Sequence, residues 1–385
     1  MTRLFRSPRR ILTGSGCIAQ VGVEAANMGL RRPLIVTSPQ VDEAGHVHHL
    51  QDILKSASID ATLFRGIDSE PTTNHVEAGY AAFVDSGADG VISIGGGSCL
   101  DAGKGIAVRV RNPGPMSRYE GTDRIEGGRV PHIGISTTAG TGSEVTRFAV
   151  FTDVSRNVKM LSTSDDFMPD LAVDDPDLTM SSPPAVTAAA GIDALTHAIE
   201  AYVSRHAQPL SDALAISAIW LISGALPTVV ADGSNRTARA AMMDGSLHAG
   251  LAFSNSSVAL AHGMARPLGV YFPIPHGAAT GILLPHVMEY SLASAVERYA
   301  DIGTALGATF PGQDSLARAH AAVDHVRSLC QRISVSRLGQ FGVTEQGLGA
   351  HGQHMAEDAL ASGSPANNPR VPTINEIVDL YHHAL

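Results

Sequence analysis

The chain has 385 residues, 44% apolar and 17% charged, with 39 glycines and a formal net charge of −10. Its length predicts two domains, and its composition is that of a compact soluble enzyme, not a disordered or fibrous chain. The negative charge argues against a nucleic-acid or anionic-membrane partner, and no run approaches 18 uninterrupted apolar residues, so no transmembrane helix is expected.

The basic start MTRLFRSPRR is followed by no apolar core, which argues against a signal peptide. Three scattered cysteines (Cys17, Cys99 and Cys330) suit a reducing cytoplasm. RRPLIVTS (31–38) reads as a buried strand ending in a Ser-Pro turn, and a helical pattern follows in VDEAGHVHHLQDILKSA. ATLFRGI (61–67) predicts another strand, and EPTTNHVEAGYAAFVDSG a helix. GADGVISIGGGS (87–98) is a strand running into glycine, with CLDAGKGIAVRV as the next helix and HIGISTT (132–138) as a further strand. Such alternation implies a parallel sheet with helices on both faces, a fold that binds ligands beyond the carboxyl ends of its strands. Proline and aspartate punctuate DLAVDDPDLTMSSPP, and helical spacing then runs almost to the end. The expected organisation is an α/β dinucleotide-binding domain over residues 1–180 and an all-helical metal-binding domain over 181–385.

Two glycine loops end predicted strands. Gly95, Gly96, Gly97 and Ser98 precede the helix carrying Asp101 and Lys104, and Thr137 and Thr138 open TTAGTGSE. Glycines at a strand-to-helix turn let backbone amides approach a phosphate, and the helix N-terminus favours its charge. Two such loops suit a dinucleotide, although the GxGxxG fingerprint is absent. Asp153 and Lys159 follow in a segment able to reach the same cofactor.

In GIDALTHAIEAY, Asp193 and His197 are four apart, which puts both on one helix face. His262 opens HGMARPLG and His276 closes FPIPHG; Phe253 and Asn255 precede His262 on what reads as the same helix. One carboxylate and three imidazoles are a ligand set for a borderline divalent ion, iron(II) or zinc, rather than calcium or magnesium.

Taken in order, GGGSCLDAGK, TTAGTGSEVTRFAVFTD, GIDALTHAIEAYVS, HGMARPLG, FPIPHGAATGILLPHVMEY and NNPRVPTINEIVDLY resemble the iron-containing (group III) alcohol dehydrogenases, and the resemblance covers essentially the whole chain. It implies the dehydroquinate synthase-like architecture: an α/β nucleotide-binding domain, a helical domain and a cleft between them. It also implies Asp193, His197, His262 and His276 as metal ligands, and Gly95, Gly96, Gly97, Ser98, Thr137 and Thr138 around the dinucleotide. Lys159 matches a position near the ribose, and Asp101 an acidic position on the helix after the loop. Two departures stand out. Many members continue the third ligand as HGMAH, where this chain has Arg266, which cannot act as a base at neutral pH. NAD-preferring members commonly carry an aspartate on the ribose hydroxyls, where this chain has Ser38, so the usual obstacle to a 2′-phosphate is missing.

The expected protein is a cytoplasmic, homodimeric NAD(P)H-linked alcohol dehydrogenase or aldehyde reductase with Fe2+, or alternatively Zn2+. Its expected substrate is a short aldehyde bearing a phosphonate, sulfonate or carboxylate held by Arg266. The alternatives are a dehydrogenase for a neutral alcohol or diol and a metal- and nucleotide-binding protein without turnover. Dehydroquinate synthase and glycerol dehydrogenase share the wider fold, usually with zinc on three ligands.

Overall fold

The computed structural model describes residues 2–156 and 158–385. Residues Arg6–Ser181 form one compact unit, and Ser182–Leu385 form a second that also takes in the extreme N-terminal residues.

The first unit contains strands β1 (Arg10–Thr13), β2 (Leu34–Val36), β3 (Thr62–Phe64), β4 (Val91–Gly95), β5 (Gly121–Thr122), β6 (His132–Ser136), β7 (Phe148–Asp153), β8 (Val158–Thr163) and β9 (Leu171–Asp174). Its helices are α1 (Val21–Asn27), α2 (Pro39–Glu43), α3 (His46–Ser56), α4 (Thr73–Ser86) and α5 (Gly97–Arg109). Six strands make a parallel sheet in the order β1-β9-β6-β4-β2-β3. Side chains alternate across it. Leu34, Val36 and Val91 pack with Val76 and Phe83 of α4 and Ile106 of α5. Ile35, Ile92 and Ile94 face Val21 of α1 and Leu50 and Leu54 of α3. Burial on both faces is why these strands read as continuous apolar runs.

A second, three-stranded sheet in the order β5-β8-β7, with β7 and β8 antiparallel, stands apart from the first. The residues 171–174, at the head of the stretch punctuated by proline and aspartate, form β9, an interior strand between β1 and β6.

The second unit is helical: α6 (Pro184–Val203), α7 (Pro209–Ala231), α8 (Arg236–Ser256), α9 (Leu260–Tyr271), α10 (His276–Ser291), α11 (Val296–Ala305), α12 (Ser315–Arg332), α13 (Glu345–Ala361) and α14 (Ile374–His383). One expectation needs correcting here. By length and composition α7 is apolar enough to cross a membrane, because Asp212 and scattered serines interrupt the apolar run without lowering its average much. It packs against α6 and α8 and buries Ala215, Ala218, Ile219, Ile222, Leu226 and Val229, as a core helix of a bundle does. A second correction concerns Phe253 and Asn255. They lie on α8, and the chain breaks at Ser257 (φ 67°, ψ 164°) before α9 begins. That backbone region is costly for any residue but glycine, and it re-aims the chain just ahead of His262.

Candidate metal centre and dinucleotide loops

Helix α6 supplies the floor of the candidate metal centre. Asp193, His197 and Glu200 fall at i, i+4 and i+7, and all three are buried. Helix α10 approaches α6 through glycine. A Cβ on Gly277 would lie 2.4 Å from the Ala189 carbonyl oxygen, and one on Gly281 2.8 Å from Ile192 Cγ2. This approach carries His276, the first residue of α10, toward Asp193, while α9 delivers His262.

Asp193, His262 and His276 each present a ligand atom, and these atoms lie within 4.8 Å of one another. Asp193 Oδ1 is 3.5 Å from His262 Nε2 and accepts a hydrogen bond of 2.9 Å from Thr280 Oγ1. His197 sits against this trio with its ring stacked on His262, centroids 4.3 Å apart, and on Phe253, 4.2 Å apart. The fourth expected ligand is thus adjacent to the cluster but not gathered into it.

Glu200 is the residue that sequence reasoning missed. Its Oε2 accepts from Ala259 N at 2.9 Å and pairs with His262 Nδ1 at 2.6 Å, and its Oε1 accepts from Ala261 N at 2.5 Å. The signal was present, since Glu200 continues the Asp193/His197 face by one more step of helical spacing.

Burial opposes a charge on His262, but Glu200 and Asp193 outweigh it and push the imidazole up to about 9. Burial would likewise raise Asp193, yet His197, His262 and His276 hold it below the usual carboxylate range. His262 Nε2 is buried and makes no hydrogen bond among the described residues, although its other nitrogen is tied to Glu200. A buried imidazole nitrogen beside a carboxylate and a second imidazole, able to give up its proton to a cation, fits a borderline divalent ion.

Arg266 lies one turn after His262 on α9. It is partly buried, and its Nη1 donates to Ser364 Oγ at 3.0 Å. Burial presses its pKa down and Glu200 restores part of it, so it stays a cation. No described carboxylate comes within 4 Å of it to form an ion pair.

In the α/β unit the two glycine loops come together. Gly95 pairs in register with Ser136, and Thr137 N donates to Gly95 O at 3.0 Å. Gly95 has φ +149°, and a Cβ there would meet Cys99 Sγ at 2.6 Å; one on Gly97 would meet Thr141 Cγ2 at 2.8 Å. Gly95, Gly96, Gly97, Ser98, Thr137 and Thr138 therefore share the carboxyl edge of β4 and β6, at the N-terminus of α5. Ser38 follows the neighbouring β2, where its Oγ caps α2 by accepting from Val41 N at 3.3 Å.

Asp101 and Lys159 are engaged elsewhere. Asp101 accepts from Ser143 Oγ at 2.6 Å and Val150 N at 2.9 Å and lies 3.5 Å from the buried Lys104 ammonium. Lys159 is on β8, paired with Glu70 at 2.7 Å.

A parallel sheet with glycine loops at its carboxyl edge and a helical unit with a carboxylate–imidazole cluster define a metal-dependent, dinucleotide-linked oxidoreductase. Residues 8–176 match the model of the iron-containing alcohol dehydrogenases and residues 187–385 that of the family's C-terminal domain. A 1,3-propanediol dehydrogenase of Klebsiella pneumoniae is 37% identical over 374 residues, 96% of each chain. The structure of a 1,3-propanediol oxidoreductase matches over 100% of both chains, with TM-score 0.97 and 36% identity. That of a sulfoacetaldehyde reductase from Bifidobacterium kashiwanohense, in complex with NAD+, matches over 100% of this chain and 99% of its own, with TM-score 0.90 and 29% identity. The chain belongs to the iron-containing alcohol dehydrogenase family. It is an alcohol dehydrogenase that works with a metal and NAD, which removes the reading without turnover.

Proposed function

We propose that this enzyme interconverts a short aldehyde bearing an acidic group with its alcohol, using Fe2+ or Zn2+ and either NADH or NADPH. The observation that carries the substrate class is Arg266, a partly buried guanidinium one turn from His262 with only a serine hydroxyl as its hydrogen-bond partner among the described residues. A desolvated cation without a counter-charge is costly, and its planar fork of donors matches a carboxylate, sulfonate or phosphonate in bidentate fashion.

Asp193, His262 and His276, with His197 alongside, would hold the metal, and Glu200 and Thr280 keep two of these ligands oriented. When bound, such an ion polarises a carbonyl oxygen and lowers the pKa of an alcohol. Gly95 to Ser98, Thr137 and Thr138 present amides and hydroxyls to the pyrophosphate, at the N-terminus of α5. Ser38 carries no charge to repel a 2′-phosphate. Arg266 would bind the acidic group and fix the carbonyl's position, and it takes no part in proton transfer.

The test compares an anionic aldehyde, such as phosphonoacetaldehyde or a semialdehyde acid, with propanal in the wild type and in Arg266→His. The variant should lose roughly 5- to 150-fold in kcat/KM on the anionic aldehyde, the scale of one charge-assisted hydrogen bond. Propanal should be nearly unaffected. Equal losses on both would make Arg266 structural and favour the second reading, a neutral alcohol or diol, which the name of the propanediol dehydrogenase relative supports.

A further inference from the structure

Helix α9 begins without a side-chain cap of its own. Its N-cap residue is Ala259, and the preceding Ser257 holds a left-handed backbone conformation that does not prolong α8. The amides of Ala259 and Ala261 would be orphaned donors in a buried helix start. Both are taken up by Glu200, 59 and 61 residues away on α6, and the same carboxylate holds His262 Nδ1. Three N–H groups converge on its two oxygens, and the carboxylate is buried where no solvent substitutes for it.

We infer that Glu200 is a positioning residue for the metal centre, acting on His262 in two ways at once. By accepting the Nδ1 proton it reserves the Nε2 lone pair for the cation, and by capping α9 it fixes where that ring stands. This inference rests on the metal reading above. Glu200 acts through His262 and lies outside the cluster of ligand atoms formed by Asp193, His262 and His276.

The inference makes glutamine a poor substitute despite its identical shape. An amide NH2 placed at Oε1 meets the Ala261 N–H. Placed at Oε2 it meets the Ala259 N–H and drives His262 to the tautomer whose Nε2 carries the proton, which blocks that nitrogen as a ligand. Every orientation loses part of the network.

The test strips the full-length wild type and Glu200→Gln with a chelator and titrates each with Zn2+ and Co2+ by chelator competition, recording the Co2+ visible spectrum and far-UV circular dichroism. The expected result is a 10- to 100-fold weaker affinity with a shifted Co2+ band and unchanged helicity, the usual cost of losing an outer partner of a ligating histidine. In Glu200→Ala, saturating formate should recover part of the affinity. Wild-type affinity and spectrum in Glu200→Gln would overturn the inference, whatever happens to the thermal midpoint. A measurement free of variants is the histidine-ring nitrogen-15 spectrum of the zinc-loaded wild type. It should show His262 protonated at Nδ1 and ligated through Nε2, and ligation through Nδ1 would overturn the inference while leaving the metal reading intact. A wild type that takes up neither ion overturns the metal reading itself.

Discussion

Gly277→Ala tests whether the closeness of α10 to α6 makes the metal centre. The added Cβ would lie 2.4 Å from the Ala189 carbonyl oxygen and 2.9 Å from its carbon, both backbone atoms of a buried helix. Ordinary contact begins near 3.5 Å, so the helices must part by about 1 Å, since no side chain can rotate away. Overpacking of this kind costs about 1–3 kcal/mol, and alanine's better helix propensity returns about 0.5–1 kcal/mol. The net loss is at most about 2.5 kcal/mol, or up to roughly 10 °C in Tm for a unit of this size. The larger effect is expected on metal, because ligand constellations tolerate only about 0.5 Å of misplacement. Glycine 277 directly follows His276, so the displacement acts on a ligand whose donor atom must stay within 4.8 Å of those on Asp193 and His262. The assay is thermal unfolding of the stripped protein alongside metal content after reconstitution. Wild-type Tm and stoichiometric metal together would refute the argument that this glycine sets the ligand geometry.

Replacing His262 or His276 with alanine should remove stoichiometric metal and abolish turnover; full iron or zinc with normal rates in both variants would reject the ligand assignment. Ser38→Asp should shift preference from NADPH toward NADH, read as the ratio of kcat/KM values, and a wild type that already rejects NADPH by orders of magnitude would place the choice on another residue. Burial pushes Glu144 up to about 7, against the pull of backbone hydrogen bonds and Lys104. The folded state then binds the proton more tightly than the unfolded chain does, so this group's contribution to stability is full below about pH 4.5 and is lost as pH rises through 7. Relative to Glu144→Gln, the wild type should lose stability as pH rises across that window, measured by urea midpoints, and parallel pH profiles would refute it.

Legibility followed the range of the interactions. Buried parallel strands such as β4 and β6 announce themselves as apolar runs ending in glycine, so the sheet core and both loops could be read directly. The strands β1 and β9 could not, because RILT and LAVD are four residues each and take their places by pairing with distant strands, β1 with β9 across some 160 residues of chain and β9 also with β6. The three-stranded sheet was missed although β7 and β8 are consecutive in the chain and pair antiparallel. In the metal centre, Asp193 and His197 were readable from their spacing, and His262 and His276 from the ordered motifs. Glu200 sat in the same quoted motif unnoticed, because its partners are two amides and a ring beyond a helix break that the sequence does not mark.

The same comparison explains why Arg266 carries more weight in the structure than in the sequence. A charged residue in an apolar helix is usually matched by a carboxylate, and the two buried acids of α6 are the natural candidates. Neither forms an ion pair with Arg266 among the described residues. Asp193 faces His262 and Thr280, and Glu200 is engaged by three N–H donors. Their two negative charges would balance one divalent cation, which leaves the guanidinium without an ion-pair partner of its own. A neutral aldehyde would leave it unmatched through the ground state, whereas an acidic substituent on the substrate neutralises it on binding. The preference for anionic substrates should therefore appear mainly in KM, with kcat for the best neutral and anionic aldehydes differing far less, because the substituent's charge is the same before and after hydride transfer.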